Sequence, residues 1–138
     1  MKPLLSRKAT TQGGRNGTIT LATSNQTIKM SKPIEMGGIT NDYTNPEELF
    51  AAGYSACFAS SLEYLLQTQE EPYTDIEVFA NTLLVKDGDK GFKFAIELVV
   101  DIKSIDEAKK AMFVNQAYQF CPYSKAINGN VEVNIEIK

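Results

Sequence analysis

Histidine and tryptophan are absent from this chain of 138 residues, and cysteine occurs only twice. Histidine is the usual general base near neutral pH and the commonest metal ligand, so its absence excludes His-dependent catalysis and His metal sites. Two cysteines without histidine also argue against a structural zinc site. Thiols, carboxylates, arginine and tyrosine remain as the candidates for chemistry.

Several other features that would indicate a partner or a location are also absent. The net charge of −3 argues against a nucleic-acid-binding protein, which usually carries a basic patch. No apolar run looks long enough to span a membrane, and residues 1–14 lack the apolar region of a secretory signal. We therefore expect a cytoplasmic protein, in a compartment where structural disulfides are uncommon. The length fits one domain over residues 1–138.

The stretch Asn45–Gln67 predicts a helix around which the chain is organised. Asn45 is a good N-cap, and Pro46 suits the first helical position because its missing N–H has no partner there. Glu48 follows Asn45 at the spacing of a capping box. The helix is apolar almost all round, which predicts that it is buried on every side, and Cys57 lies in its middle.

The remainder of the chain alternates between strand patterns and one more helix. Alternating apolar residues predict strands at Lys8–Gln12, Thr18–Ala22, Thr27–Met30, Asp75–Val85, Phe92–Ile102 and Val131–Lys138. A second helix is predicted from a capping box at Ser104–Glu107 to about Phe120, with Cys121 at its end before Pro122. This order predicts an α+β fold with largely antiparallel sheets. The need to cover the first helix on all sides favours a homodimer.

From the residues alone, both cysteines have two open interpretations. Cys57 is either a small apolar filler in a buried helix or a functional thiol, which would need a nearby positive charge. Arg15, on the turn Gly13–Gly17, can supply that charge, and Glu47 can hold the arginine through a bidentate pair. The turn can equally be a plain hairpin with Arg15 in solvent. Cys121 is either a packed thiol or a resolving thiol for an oxidised Cys57.

Four motifs narrow these alternatives. The chain resembles the organic hydroperoxide resistance proteins, the Ohr branch of the OsmC/Ohr family, at GGRNG (13–17), TNPEELFAAGYSACF (44–58), CPYSKA (121–126) and GNV (129–131). The resemblance spans most of the chain. The second and third motifs, in this order, are highly specific, whereas the glycine-rich turn alone would be weak.

The resemblance implies a thiol peroxidase that uses no metal or haem cofactor. Cys57 would be the peroxidatic cysteine and Cys121 the resolving cysteine, and Arg15 and Glu47 would complete the catalytic site. The implied fold is an intertwined homodimer in which antiparallel sheets pack around two long helices. The implied reductant is a lipoylated protein, so reducing equivalents would come from dihydrolipoyl groups or other dithiols.

The chemistry of the residues agrees with this implied activity. A Cys57 thiolate would attack the distal oxygen of a hydroperoxide and become a sulfenic acid, and Cys121 would close a disulfide that prevents over-oxidation. Arg15 would lower the Cys57 pKa and polarise the peroxide. Apolar neighbours would favour alkyl or fatty-acid hydroperoxides over hydrogen peroxide, and the candidates for substrate binding are Phe50, Tyr54, Phe58 and Phe120.

One distance leads us to expect a site shared between subunits. Ten residues of continuous helix separate Glu47 from Cys57 by about 15 Å along the axis. Unless the helix starts late or Arg15 spans the gap, the Arg–Glu pair would come from the partner subunit.

Two other functions stay open: a non-catalytic dimer that binds a hydrophobic small molecule, and a general thiol–disulfide oxidoreductase.

Overall fold

The computed structural model describes every residue from Met1 to Lys138. The chain divides into two compact units, Met1–Pro46 and Glu47–Lys138, and each is described here by itself. The assignment of residues 1–138 to one domain stays a prediction. Elements are numbered in chain order.

The first unit is a small antiparallel sheet followed by an irregular segment. Its strands are β1 (Ala9–Gln12), β2 (Thr18–Leu21) and β3 (Thr27–Lys29), in the spatial order β1-β2-β3. The predicted turn joins β1 to β2, where the N–H of Gly17 donates to the carbonyl of Gly14 at 2.8 Å. A short 3-10 helix, Ile34–Met36, lies in a region for which the sequence predicted no regular structure.

The second unit combines one sheet with three helices. Its elements are α1 (Pro46–Thr68), β4 (Asp75–Lys86), β5 (Phe92–Lys103), α2 (Glu107–Phe120), α3 (Pro122–Ile127) and β6 (Glu132–Ile137). Strands β4 and β5 pair antiparallel along their whole length, whereas β6 pairs parallel to β5. Helices α2 and α3 form the crossover that this parallel pairing requires. The predicted α+β class is confirmed.

Alternate residues of β5 form the centre of the core in the second unit. Ile96, Leu98, Val100 and Ile102 are each no more than 1% exposed, so the two-residue period predicted for this strand is confirmed. They pack with residues of α1 and α2 such as Phe113. Full burial of each such side chain stabilises the fold by about 1.5–3 kcal/mol. This core fixes the two helices that carry or precede the cysteines.

Helix α1 starts where the sequence predicts, but it is not buried on every side. Its buried residues share one face of the helix: Tyr54, Phe58, Ser61, Leu62 and Leu66. Ala52, Ala56 and Ser60 are exposed on the opposite side. The single chain therefore leaves one side of α1 open, and burial on every side, which the sequence analysis tied to a homodimer, stays a prediction.

Helix α1 also corrects the expectation that no apolar run could cross a membrane. By length and composition it could do so, and 28% of its apolar window is buried in the structure. The core helix of a soluble protein passes the same test, so this finding is weak support for membrane insertion.

The start of α2 and the segment after it differ in detail from the prediction. Asp106, not Ser104, is the N-cap, and its side chain accepts from the Lys109 N–H at 2.9 Å. Ser104 has a φ of 63°, which places it in the turn before the helix. The sequence ended its second helix near Phe120 and missed α3 altogether.

Candidate functional site

The two cysteines lie side by side in the second unit. Cys57 is in the middle of α1, Cys121 lies between α2 and α3, and their Sγ atoms are 3.4 Å apart. Cys57 is partly exposed, whereas Cys121 has no exposed surface. A disulfide bond is about 2.05 Å long, so both residues are free thiols in contact.

Pro122 explains why Cys121 sits at a break between two helices. The residue before a proline avoids helical dihedrals, and Cys121 is extended, with φ −61° and ψ 124°. Its N–H still donates to the Ala117 carbonyl at 2.8 Å, which closes α2. Its carbonyl accepts from the Lys125 N–H at 3.0 Å, which opens α3. Pro122 allows α2 to end and α3 to begin at this point, because proline suits the first position of a helix.

The surroundings of Cys57 have opposing effects on the pKa of its thiol. Burial raises the pKa of the Cys57 thiol, and the neighbouring Cys121 raises it further. The backbone of Tyr123 opposes this effect and lowers the pKa, because a backbone N–H directed at the sulfur favours the charged form. The net direction is upward, so a reactive thiolate here needs additional positive charge.

A hydrogen-bonded aromatic cluster adjoins the cysteines. The hydroxyls of Tyr54 and Ser124 are 2.7 Å apart, and burial raises the pKa of Tyr54 to about 12. The ring of Tyr123 stacks on Tyr54 with centroids 6.0 Å apart. Neither Tyr123 nor Ser124 was predicted as a site residue. Both belong to the CPYS motif, which was interpreted for its cysteine alone.

The four residues predicted to bind substrate occupy different environments. Tyr54 and Phe58 have no exposed surface, so they support the site from the core. Phe50 is half-buried and contacts Phe94, at 5.2 Å between ring centroids. Phe120 is 41% exposed. Only Phe50 and Phe120 can meet a ligand without a movement of the core.

Phe120 also borders a depression in the surface. This depression has a volume of about 490 Å³ and is lined by Leu65, Asn115, Gln116, Gln119, Phe120 and Lys125. The Phe120 ring stacks on Tyr64 at 5.2 Å between centroids. The lining is mainly apolar, with amides and one ammonium group among it.

The other two predicted catalytic residues are Arg15 and Glu47. Arg15 lies in the turn between β1 and β2 of the first unit and is half-buried. Glu47 is half-buried in the first turn of α1. Because α1 is continuous from Pro46, Glu47 lies about 15 Å from Cys57 along the axis. The possibility of a late helix start is therefore excluded, and the catalytic roles of Arg15 and Glu47 stay predictions.

No group of three or more Cys, Asp or Glu side chains in the chain could hold a metal ion.

Comparison with known proteins gives consistent matches over the whole chain. The family model described as OsmC-like protein matches residues 39–136. The organic hydroperoxide resistance protein OhrB of Bacillus subtilis is 43% identical over 137 residues, which cover 98% of each chain. An organic hydroperoxide resistance protein-like 2 from Staphylococcus epidermidis is 40% identical over 126 residues, covering 91% of this chain and 89% of that protein.

A solved structure gives the same result for the fold. The crystal structure of an organic hydroperoxide resistance protein from Elizabethkingia anophelis, with thiocyanate bound, matches with a TM-score of 0.95. The two chains are 35% identical, and the match covers 100% of this chain and 99% of that one.

Proposed function

The chain belongs to the OsmC-like family, in its organic hydroperoxide resistance branch, and we propose that it is a thiol-dependent peroxidase that reduces organic hydroperoxides to alcohols. The names of its relatives support a role in organic hydroperoxide resistance. The two-cysteine mechanism is our inference from the residues of this chain.

The observation that carries the proposal is the contact between Cys57 and Cys121. Their sulfurs are 3.4 Å apart, and a disulfide needs an approach of only about 1.4 Å more. Cys57 is the thiol with exposed surface, so it is the one that an incoming peroxide meets first. The buried Cys121 is shielded from a peroxide in solvent, so it would react with an oxidised Cys57 rather than with the peroxide.

The reaction proceeds in two balanced steps. The Cys57 thiolate attacks the distal oxygen of ROOH, the O–O bond breaks, and RO⁻ leaves and takes a proton to become ROH. Cys57 is then a sulfenic acid. The Cys121 sulfur attacks the Cys57 sulfur, an S–S bond forms, and the hydroxyl group leaves as water. A dithiol then donates two electrons and two protons and restores both thiols.

Arg15 and Glu47 are proposed to make the first step possible. Burial raises the pKa of the Cys57 thiol, so the thiolate requires a positive charge beyond the Tyr123 N–H. The resemblance assigns that charge to Arg15, which would also stabilise the oxyanion that leaves the peroxide. Glu47 would hold the guanidinium in place, from the same or the partner subunit.

The substrate preference is proposed from the apolar character of the region. Phe50 and Phe120 keep exposed surface, and the depression beside Phe120 is lined mainly by apolar atoms. Transfer of an alkyl chain from water to such surfaces is favourable by about 25 cal/mol per Å². Alkyl and fatty-acid hydroperoxides would gain this binding free energy, whereas hydrogen peroxide has no apolar part and would gain none.

The assembly, reductant and location complete the proposal. The exposed side of α1 carries small residues such as Ala52 and Ala56, which suits close packing against a second copy in a homodimer. Sedimentation equilibrium tests this directly, and a monomeric mass at micromolar concentration would exclude the dimer.

The proposed reductant is a lipoylated protein or another dithiol. The proposed location is the cytoplasm.

Turnover by cysteine variants tests the proposed function. With dihydrolipoamide as the reductant and cumene hydroperoxide as the substrate, Cys57→Ser should abolish consumption of peroxide. Cys121→Ser should still react once and then accumulate oxidised Cys57. A parent protein that consumes no peroxide would reject the peroxidase, and a function that survives both substitutions unchanged would favour the hydrophobic-ligand-binding dimer. Reduction of a protein disulfide without any peroxide would favour the general oxidoreductase.

A further inference from the structure

One face of α1 contacts the segment Cys121–Ser124 residue by residue. Cys57 contacts Cys121 through the two sulfurs. One turn earlier, Tyr54 is hydrogen-bonded to Ser124. The ring of Tyr123 is stacked on Tyr54, and its hydroxyl lies against Gly53. The resolving cysteine is therefore part of a short segment that is docked on α1 at three points.

The hydrogen bond between Tyr54 and Ser124 is the strongest fixed point of this segment. The two residues are separated by 70 positions in the sequence, and their hydroxyl oxygens are 2.7 Å apart. Tyr54 is fully buried and Ser124 is 1% exposed, so neither hydroxyl can replace its partner with bulk water. Because an unpaired buried hydroxyl is costly, this contact restricts where Ser124 can lie.

The first turn of α3 connects Ser124 to Cys121, so the position of one residue restricts the position of the other. Cys121 precedes this turn, and its carbonyl accepts from the Lys125 N–H at 3.0 Å. Pro122 removes one backbone torsion because its φ is fixed. The same turn carries the Tyr123 backbone, which lowers the pKa of the Cys57 thiol. Ser124 thus lies in the turn that holds both Cys121 and this backbone group.

We propose that Tyr54 and Ser124 are positioning residues for the cysteine pair: their hydrogen bond holds Cys121 against Cys57 and sets the rate at which the disulfide closes. In the cell this role rests on the proposed peroxidase function, where fast closure would protect the Cys57 sulfenic acid from further oxidation. Closure of the disulfide itself needs no peroxide. Any reagent that attaches a leaving group to the Cys57 sulfur lets Cys121 attack that sulfur.

Glutathione disulfide provides a peroxide-free test of closure in the reduced, full-length protein. The Cys57 thiolate attacks glutathione disulfide, forms a mixed disulfide and releases one glutathione. The Cys121 thiolate then attacks the Cys57 sulfur and releases the second glutathione, so two protein thiols are oxidised and one glutathione disulfide is reduced to two thiols. Acid quenching and intact-mass measurement give the lifetime of the mixed disulfide.

Removal of either hydroxyl should slow closure. Tyr54→Phe and Ser124→Ala should each lengthen the lifetime of the mixed disulfide by about fivefold, as expected when one hydrogen bond that holds the reacting geometry is lost. The double variant should be no slower than the slower single variant, because both substitutions remove the same bond. Ser60→Ala is the matched control, since the Ser60 hydroxyl donates only to the Ala56 carbonyl of its own helix.

A second readout separates positioning from a general loss of stability. The pH profile of the first step reports the pKa of Cys57, and it should shift to higher pH in both variants as the Tyr123 backbone, which lowers this pKa, moves away. A general loss of stability without a change at the site would not shift this profile. If Ser124→Ala fails to fold, Tyr54→Phe decides the question because it preserves the ring.

Three results would overturn the inference. They are folded variants that close the disulfide as fast as the parent, effects that add in the double variant, and a parent protein that never releases the second glutathione. Failure of the proposed function gives a different result. A parent protein that is inert to cumene hydroperoxide, yet closes with glutathione disulfide at a rate that depends on Tyr54 and Ser124, would reject the peroxidase and support the positioning role.

Discussion

The ring of Tyr123 occupies the space where a side chain at Gly53 would begin. A β-carbon at residue 53 would lie 2.5 Å from the Tyr123 hydroxyl oxygen and 3.0 Å from the ring carbon that bears it. Glycine in the middle of a helix costs about 1 kcal/mol relative to alanine. The close approach of Tyr123 gives a physical reason for a glycine at this point of α1.

This relationship predicts coupling between the two residues. Gly53→Ala alone should change stability little, because its gain in helix propensity is offset by displacement of the Tyr123 ring. In a Tyr123→Ala background, the same substitution should stabilise the protein by about 1 kcal/mol. Urea unfolding of the four proteins in this double-mutant cycle measures the difference. Equal effects of Gly53→Ala in both backgrounds would contradict the steric explanation.

Arg15 should control the reactivity of Cys57 if it supplies the charge that the resemblance implies. Arg15→Met should raise the Cys57 pKa and slow the reaction with organic hydroperoxide by tenfold or more, on the order of the effect of losing one donor to a developing oxyanion. Arg15→Lys should restore part of the rate, because it keeps the charge but loses the bidentate geometry. Stopped-flow measurement of thiol loss across pH gives both quantities.

The chain provides a matched control for this test. Arg7 is the only other arginine, and its exposed guanidinium donates to the carbonyl of Ser6. Arg7→Met should leave the Cys57 pKa and the rate unchanged. An equal effect of the two substitutions would show that Arg15 acts only through overall charge.

Asp101 should stabilise the fold at neutral pH but not in acid. Hydrogen bonds from Lys103 and then Lys110 lower the pKa of Asp101 from 3.8 to about 2. Because this carboxyl group has a lower pKa in the folded protein than in the unfolded chain, it stabilises the fold above pH 3.8. This stabilisation is lost as the pH falls towards 2. Asp101→Asn should therefore destabilise the protein near neutral pH, and the difference should shrink in acid.

Urea unfolding at several pH values checks this expectation for Asp101. Asp89→Asn is a suitable control, because Asp89 lies on the exposed loop between β4 and β5. A difference between Asp101→Asn and the parent that is constant from neutral pH to pH 2 would contradict the assignment.

The buried Tyr54 should remain protonated well above pH 10.0, the ordinary pKa of a tyrosine. Burial raises its pKa from 10.0 to about 12, so the unfolded chain ionises first and stability is lost as the pH rises through this interval. A spectroscopic titration of phenolate absorbance should show a late step that disappears in Tyr54→Phe.

The sequence was most informative where one local pattern determined the structure. Apolar residues at every second position of β5 predicted both its existence and its buried face. Pro46 marked the start of α1 to the residue. Local patterns could not reveal that β6 pairs parallel to β5, because a two-residue period identifies a strand but not its neighbour.

The candidate site shows the same limit. The resemblance selected Cys57 and Cys121, but the hydrogen bond between Tyr54 and Ser124 joins residues 70 positions apart. No spacing rule predicts such a contact. Helix α3 was missed because Pro122 was interpreted only as the end of α2, although proline is equally typical of the first position of a new helix.

The most direct test of the proposed function is a thiol count and intact-mass measurement after one equivalent of peroxide. Reduced protein would receive cumene hydroperoxide or, in parallel, the same dose of hydrogen peroxide. The two-cysteine mechanism predicts rapid loss of both thiols, an intramolecular disulfide between Cys57 and Cys121, and a faster reaction with the organic peroxide. Survival of both thiols would contradict it, and a Cys57 sulfinic acid beside a free Cys121 would reject the resolving role.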